Sequence, residues 1–94
     1  MNSFEALANA VIERAARDYR EALHYLKENP RTPEMKDSEV LRKNPGLERA
    51  RNRIIDAEVT AYGCEKFFKS GYFEILTDLD GPALMRGIRK LEGV

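Results

Sequence analysis

CEKFFKSGYFEILTDLDG, residues 64 to 81, holds three of the four phenylalanines and one of the four tyrosines of a 94-residue chain. Each aromatic ring takes on the order of 150 to 250 Å² out of water when buried, so a core built on this stretch draws the flanking segments toward it. What flanks it is helical in pattern. Upstream, the apolar positions Leu47, Ala50, Ile54, Ala57, Ala61, Cys64 and Phe68 recur at steps of three and four, with Ile55, Val59, Tyr62 and Phe67 widening the stripe. Asn44 before Pro45 is a cap followed by a first-turn proline, which predicts a helix from there to about Ser70. Gly71 suits the left-handed conformation that closes a helix, and Tyr72 to Leu76 then form one or two turns. These place Phe73, Ile75 and Leu76 across the end of the helical pair. Asp78 or Asp80 caps a last helix with Pro82 in its first turn; Leu84, Ile88 and Leu91 share a face, with Leu79 and Ala83 near its start.

The N-terminal third carries a second long helix. From Phe4 the apolar set runs Leu7, Ala8, Val11, Ile12, Ala15, Ala16, Tyr19, Ala22, Leu23 and Leu26, one face of a 3.6-residue period. Asn2 or Ser3 caps it; with Asn2 as the cap, Glu5 falls where a capping-box acid belongs. Pro30 and Pro33 end it, because the residue before a proline is pushed out of helical conformation. Opposite charges four apart, Glu13 with Arg17, Arg14 with Asp18 and Arg17 with Glu21, mark a solvated outer face. Between the two helices, Pro33 to Lys43 is polar apart from Met35, Val40 and Leu41, and reads as a short, weakly held helix or an excursion. The alanines at 8, 15 and 22 and the small residues Ala50, Ala57, Ala61 and Cys64 let the long helices approach closely. The expected fold is therefore all-α, a single domain spanning 1–94. In it a long antiparallel helix pair is closed by a short aromatic helix and a C-terminal helix, as a small helical bundle.

Composition restricts function. Sixteen basic residues balance sixteen acidic ones, so the chain lacks the overall positive field that holds a protein non-specifically to phosphate. Neutrality also removes the charge barrier to self-association. The single cysteine forms no internal disulfide and no thiolate zinc cluster, which fits a reducing, cytoplasmic setting. Glu5 and Glu13 interrupt the N-terminal region where a signal peptide would need an apolar run. No apolar stretch approaches the roughly 18 residues of a membrane span.

No group of residues has the spacing of an active site, a metal site or a cofactor site. Cys64 could act as a nucleophile only with a base nearby, and the sole histidine, His24, is forty residues away on the other long helix; a small core residue is the simpler reading. Asp78, Asp80 and Gly81 open like a calcium loop, but Gly81 follows Asp80 directly and Glu92 lies at the wrong spacing, so helix capping accounts for them better. Tyr19, Tyr25, Tyr62 and Tyr72 are expected at core edges. The most uneven charge feature is Arg42, Lys43, Arg49, Arg51 and Arg53. From Arg31 to Arg53 seven bases face four acids, whereas Ile54 to Met85 carries two bases and six acids. Three occupants fit that basic stretch: nucleic-acid phosphate, with residues 33–56 as a helix-turn-helix-like unit, the acidic half of a second copy, or solvent alone.

ERAARDYREALHYLKENPRTPE (13–34) and CEKFFKSGYFEILTDLDGPALMRGIRKL (64–91), roughly half of the chain, resemble short helical proteins of phages and integrated mobile elements of Gram-positive bacteria. Members of that group pair a similar Asp-Tyr-Arg helix with a Cys-Glu-x-Phe-Phe-x-Ser segment. The resemblance implies a mobile-element context and carries no activity, catalytic residue or ligand with it. The expected function is a non-enzymatic helical interaction module that self-associates. The alternative is a nucleic-acid-binding accessory protein using Arg42 to Arg53, and an enzyme using Cys64 and His24 stands last.

Overall fold

Helix α1, Ser3–Glu28, begins where the side chain of Asn2 accepts the Glu5 N–H at 2.8 Å, satisfying one of the four amides that a helix start leaves unpaired. It stops at Asn29, whose backbone and side-chain N–H groups both donate to the Tyr25 carbonyl, one residue ahead of Pro30. These details come from a computed structural model that describes residues 2–94. A 3-10 turn, Pro33–Lys36, leads into α2, Ser38–Lys43, which is capped by the Asp37 carboxylate. Asn44 alone connects α2 to α3, Pro45–Phe68, and its side chain accepts the Leu47 N–H at 3.1 Å. Helices α4, Gly71–Leu76, and α5, Gly81–Glu92, complete the chain. Among the described residues there is no strand.

The turn from α3 to α4 is made by Ser70 rather than by Gly71. Ser70 Oγ donates to the Phe67 carbonyl at 2.7 Å, closing α3, and accepts the Phe73 N–H at 3.1 Å, opening α4. Gly71 is simply the first residue of α4; among the described residues the only positive φ belongs to Gly93, at 72°, just past the end of α5.

Helices α1 and α3 are antiparallel: Tyr19 meets Glu65, and Arg31, just beyond α1, meets Glu58. Helix α5 lies against both and runs with α1, since Arg89 reaches Tyr19 and Glu92 reaches Arg20 and Lys27. The main core is Ile12, Tyr19, Ala22, Leu23, Ala61, Phe68, Phe73 and Ile88. Its rings meet edge to face, Tyr19 on Phe68 at 5.7 Å and Phe68 on Phe73 at 5.9 Å, a geometry that adds about 0.5 to 1.5 kcal/mol per pair beyond burial. Met35 and Leu41 are buried where the 3-10 turn and α2 pack on α3, so the polar segment 33–43 is anchored at two points. Three expected core residues face solvent instead: Ile75, Leu79 and Leu91 are all more than half exposed. Helix α5 is rotated so that Gly81, Leu84, Met85, Ile88 and Glu92 form its inner seam.

Gly81 lets α5 seat against the end of α3. A Cβ there would lie 1.7 Å from the Phe68 carbonyl oxygen, a backbone atom that no rotamer change can move. Gly81→Ala is expected to lower unfolding free energy in urea by roughly 3 kcal/mol. Gly87, in the same helix with nothing within 4 Å of its added Cβ, is the matched control: Gly87→Ala should stabilise by about 1 kcal/mol.

Candidate functional site

Tyr19 has no exposed surface, so its hydroxyl needs a partner inside the protein. It donates to Glu65 Oε2 at 2.7 Å, and Arg89 Nη1 sits 3.4 Å from both oxygens. One polar group thus joins α1, α3 and α5. Burial, more than any neighbouring charge, holds the Tyr19 phenol above its ordinary pKa. The side chains of Glu65 and Arg89 keep 29% and 41% of their exposure, so the cluster is buried at the phenol and wet at its edge.

A second polar cluster fixes the end of α5. Glu92 accepts from Arg20 Nε at 2.7 Å and lies 3.4 Å from His24 Nδ1, while Lys27 Nζ donates to the Glu92 backbone carbonyl at 3.1 Å. The Arg20 hydrogen bond is the main cause that lowers the Glu92 carboxyl pKa below its ordinary value. This places His24 on the α5 side of the helix pair.

Cys64 is elsewhere. It lines the groove between α1 and α3 together with Val11, Ala15 and Asp18, and no hydrogen bond joins it to His24. Burial first, then the carboxylates of Asp18 and Glu65, push its thiol pKa up. A working nucleophile needs the opposite shift. Asp80 caps α5 by accepting the Ala83 N–H at 3.0 Å. Among the described residues no three His, Cys, Asp or Glu side chains converge as metal ligands.

The basic set is divided. Arg42, in the last turn of α2, is held by both oxygens of Glu39 at 2.9 and 3.0 Å, and its charge there suits the negative end of that helix. Arg51 is half-buried in a hollow with Ser38, Leu41 and Glu48; its Nε is shut off from solvent and has no acceptor, for which the structure supplies no reason. Lys43, Arg49 and Arg53 are exposed and make no ion pair among the described residues. Arg49 and Arg53, four residues apart, share one face of α3, whereas Arg51 points to another. The single-residue connection at Asn44 is shorter than a helix-turn-helix turn of three or four residues.

The surface that remains is the side of the α1–α3 pair opposite α5. A shallow groove of about 320 Å³ runs along it, walled by Val11 and Ala15 on α1 and by Val59, Gly63 and Phe67 on α3. Leu7, Val59 and Tyr72 on and beside this face are each more than half exposed. The small residues that line the groove are legible in the sequence, but the tyrosine at the junction is not, because periodicity puts Tyr19 on the same face as its alanine neighbours without saying that three helices meet there. No helix of the described residues is long and apolar enough to cross a membrane. No protein-family model, no curated protein and no solved structure matches the chain.

Replacing Tyr19 by Phe removes the hydroxyl and leaves Glu65 and Arg89 to each other; the expected cost is about 1 kcal/mol in urea unfolding, with helicity unchanged. The Glu92 cluster gives a pH dependence. Because the folded-state pKa is lowered from 4.5, its stabilisation is present above that value and is lost as pH falls through the folded-state value. Urea midpoints measured from neutral pH into that acid range should fall further for the wild type than for Glu92→Gln, which has no carboxylate to protonate.

Proposed function

We propose that the chain is a non-enzymatic helical interaction module, cytoplasmic and of mobile-element context, that works by self-association. The observation that carries this reading is the open side of the α1–α3 pair, where Val59 is 65% and Leu7 66% exposed beside an apolar groove. A contiguous apolar surface on a small soluble fold marks an interaction site, and a chain with no net charge offers copies of itself no repulsion. The raised Cys64 pKa and its separation from His24 support a role without turnover. The phage and mobile-element context rests on the sequence resemblance alone.

The competing reading is a nucleic-acid-binding accessory protein. Lys43, Arg49 and Arg53 favour it, since they have no acidic partner among the described residues. With Arg42 held by Glu39 and Arg51 half-buried, three cations rather than five remain for phosphate, and three contacts give only a modest salt-dependent affinity.

Light scattering across a concentration series separates the two. Self-association predicts a mass that rises above the 10.8 kDa of one chain as concentration increases. A mass fixed at one chain, together with a salt-sensitive complex on short duplex DNA, would instead favour the nucleic-acid reading.

A further inference from the structure

The fold gathers cations that the sequence keeps apart. From Ile54 to Met85 the chain carries only two bases, Lys66 and Lys69, against six acids, and read along the chain that stretch is acidic. Helix α5 then adds Arg86, Arg89 and Lys90. Two contacts lay α5 along the flank of α3 where the two lysines stand: Gly81 is seated against the Phe68 carbonyl, and Arg89 Nη1 lies 3.4 Å from Glu65 Oε2. Tyr62, Lys66 and Lys69 follow that same flank of α3 at steps of three and four, and Arg86 and Lys90, four apart, share the outer side of α5. Lys66, Lys69, Arg86 and Lys90 are all exposed. Among the described residues none of the four has an ion pair or a side-chain hydrogen bond. The acids of the region are engaged or displaced: Glu65 is held by Tyr19 and Arg89, Glu58 by Arg31, Asp80 caps α5, and Glu74 and Asp78 lie past the end of α3. Five basic side chains thus stand on one face made of two helices, with a phenol ring among them. Tyr62 is 63% exposed, and the Lys66 ammonium lies 5.6 Å from its ring centroid.

Unpaired cations around an exposed aromatic ring are the chemistry that recognises a single nucleic-acid strand: the cations take successive phosphates, and the ring takes the face of a base. We propose that this α3–α5 face binds single-stranded nucleic acid, with Lys66, Lys69, Arg86 and Lys90 on phosphates and Tyr62 stacked on a base. Arg89 adds its charge from behind while it stays tied to Glu65. Zero net charge does not oppose this, since salt screens acids more than roughly 8 Å away. An anionic membrane fits less well. A helix lying in a lipid surface turns its large apolar side chains outward beside its cations, whereas α5 turns Leu84, Met85 and Ile88 inward and leaves only Leu91 exposed. A duplex fits less well too, because its bases are already stacked on one another and offer Tyr62 no free face. The site is distinct from the basic stretch Arg42 to Arg53, which lies on α2 and at the other end of α3. It is on the α5 side of the helix pair, so it leaves the open groove free and does not depend on self-association. Copies joined through the groove would present two such faces to one strand.

Fluorescence anisotropy of a labelled oligothymidine titrated with the full chain tests it, each variant first being checked for wild-type helicity by circular dichroism. The Kd should rise with salt at a log–log slope of about 3, as four phosphate contacts on a single strand require. Lys66→Gln with Lys69→Gln on α3, and Arg86→Gln with Lys90→Gln on α5, should each raise the Kd about tenfold. Tyr62→Ala should raise it about tenfold by loss of stacking. Arg49→Gln with Arg53→Gln, at the far end of α3, should leave it within about twofold. A duplex of the same length and vesicles of phosphatidylserine should both bind more weakly than the single strand. Absence of binding at low salt would overturn the proposal, as would binding that survives both double variants on the α3–α5 face and is lost in the Arg49 and Arg53 pair. Tighter binding to the vesicles would assign the face to a membrane instead. A Tyr62→Ala variant that binds like wild type, or a duplex that binds more tightly, would overturn the single-strand reading. Light scattering of the same variants reads self-association separately and should not change, so failure of either proposal is seen without the other.

Discussion

A phenol hydroxyl buried at the meeting of three helices sets the geometry of this protein. Tyr19 has no contact with solvent, and an unmade hydrogen bond there would cost about 1 to 3 kcal/mol. Glu65 meets the need from α3, and Arg89 from α5. The distances are specific enough to fix how far α1 slides along α3 and how α5 is rotated about its own axis. Apolar packing alone would be more permissive, because alanine-lined helices pack in several registers. The ring beneath the hydroxyl then seats on Phe68, and Phe68 on Phe73, so the polar junction and the aromatic cluster hold one another in place.

That junction also decides which side of the helix pair is covered. Helix α5 approaches from the Glu65 side and is tied at its far end by Arg20, His24 and Lys27 around Glu92. The 3-10 turn and α2 are used up on the first half of α3, where Met35 and Leu41 are buried. Nothing in the described chain covers Val59 and Gly63, which stay exposed, and Val11 and Phe67 beside them are only half-buried. The functional proposal follows from this division of a short chain: one face of the pair is closed internally, and the other is available to a partner.

Much of the architecture was legible in the sequence. The caps are local signals, read without tertiary information: Asn44 opens α3 as expected, and of the paired candidates Asn2 or Ser3 and Asp78 or Asp80 the structure uses Asn2 for α1 and Asp80 for α5. The aromatic segment from Phe67 to Phe73 does form the closed end. What was not legible depended on contacts between distant residues. Tyr19 was expected at the core edge because tyrosine usually keeps its hydroxyl wet; the available hint was its setting among Ala15, Ala16 and Ala22, small neighbours that leave room for one ring. Leu79 and Leu91 were expected inside because leucine is apolar. Instead the seam position at the end of α5 went to Glu92, whose three basic neighbours come from another helix. Glycine is the usual residue to close a helix, yet Ser70 rather than Gly71 makes both hydrogen bonds of the turn with one hydroxyl. The basic stretch is a unit only along the sequence, since helical geometry separates Arg51 from Arg49 and Arg53.

The helix pair is sealed on one side by the Tyr19 junction and open on the other. Hydroxyl-radical footprinting read by mass spectrometry at low protein concentration tests it most directly, since it reports the solvent access of each side chain separately. Leu7, Tyr62 and Tyr72 should oxidise rapidly, with Tyr19, Phe68 and Phe73 protected. Oxidation of Tyr19 at a rate matching Tyr62 under conditions where the helices remain formed would contradict it.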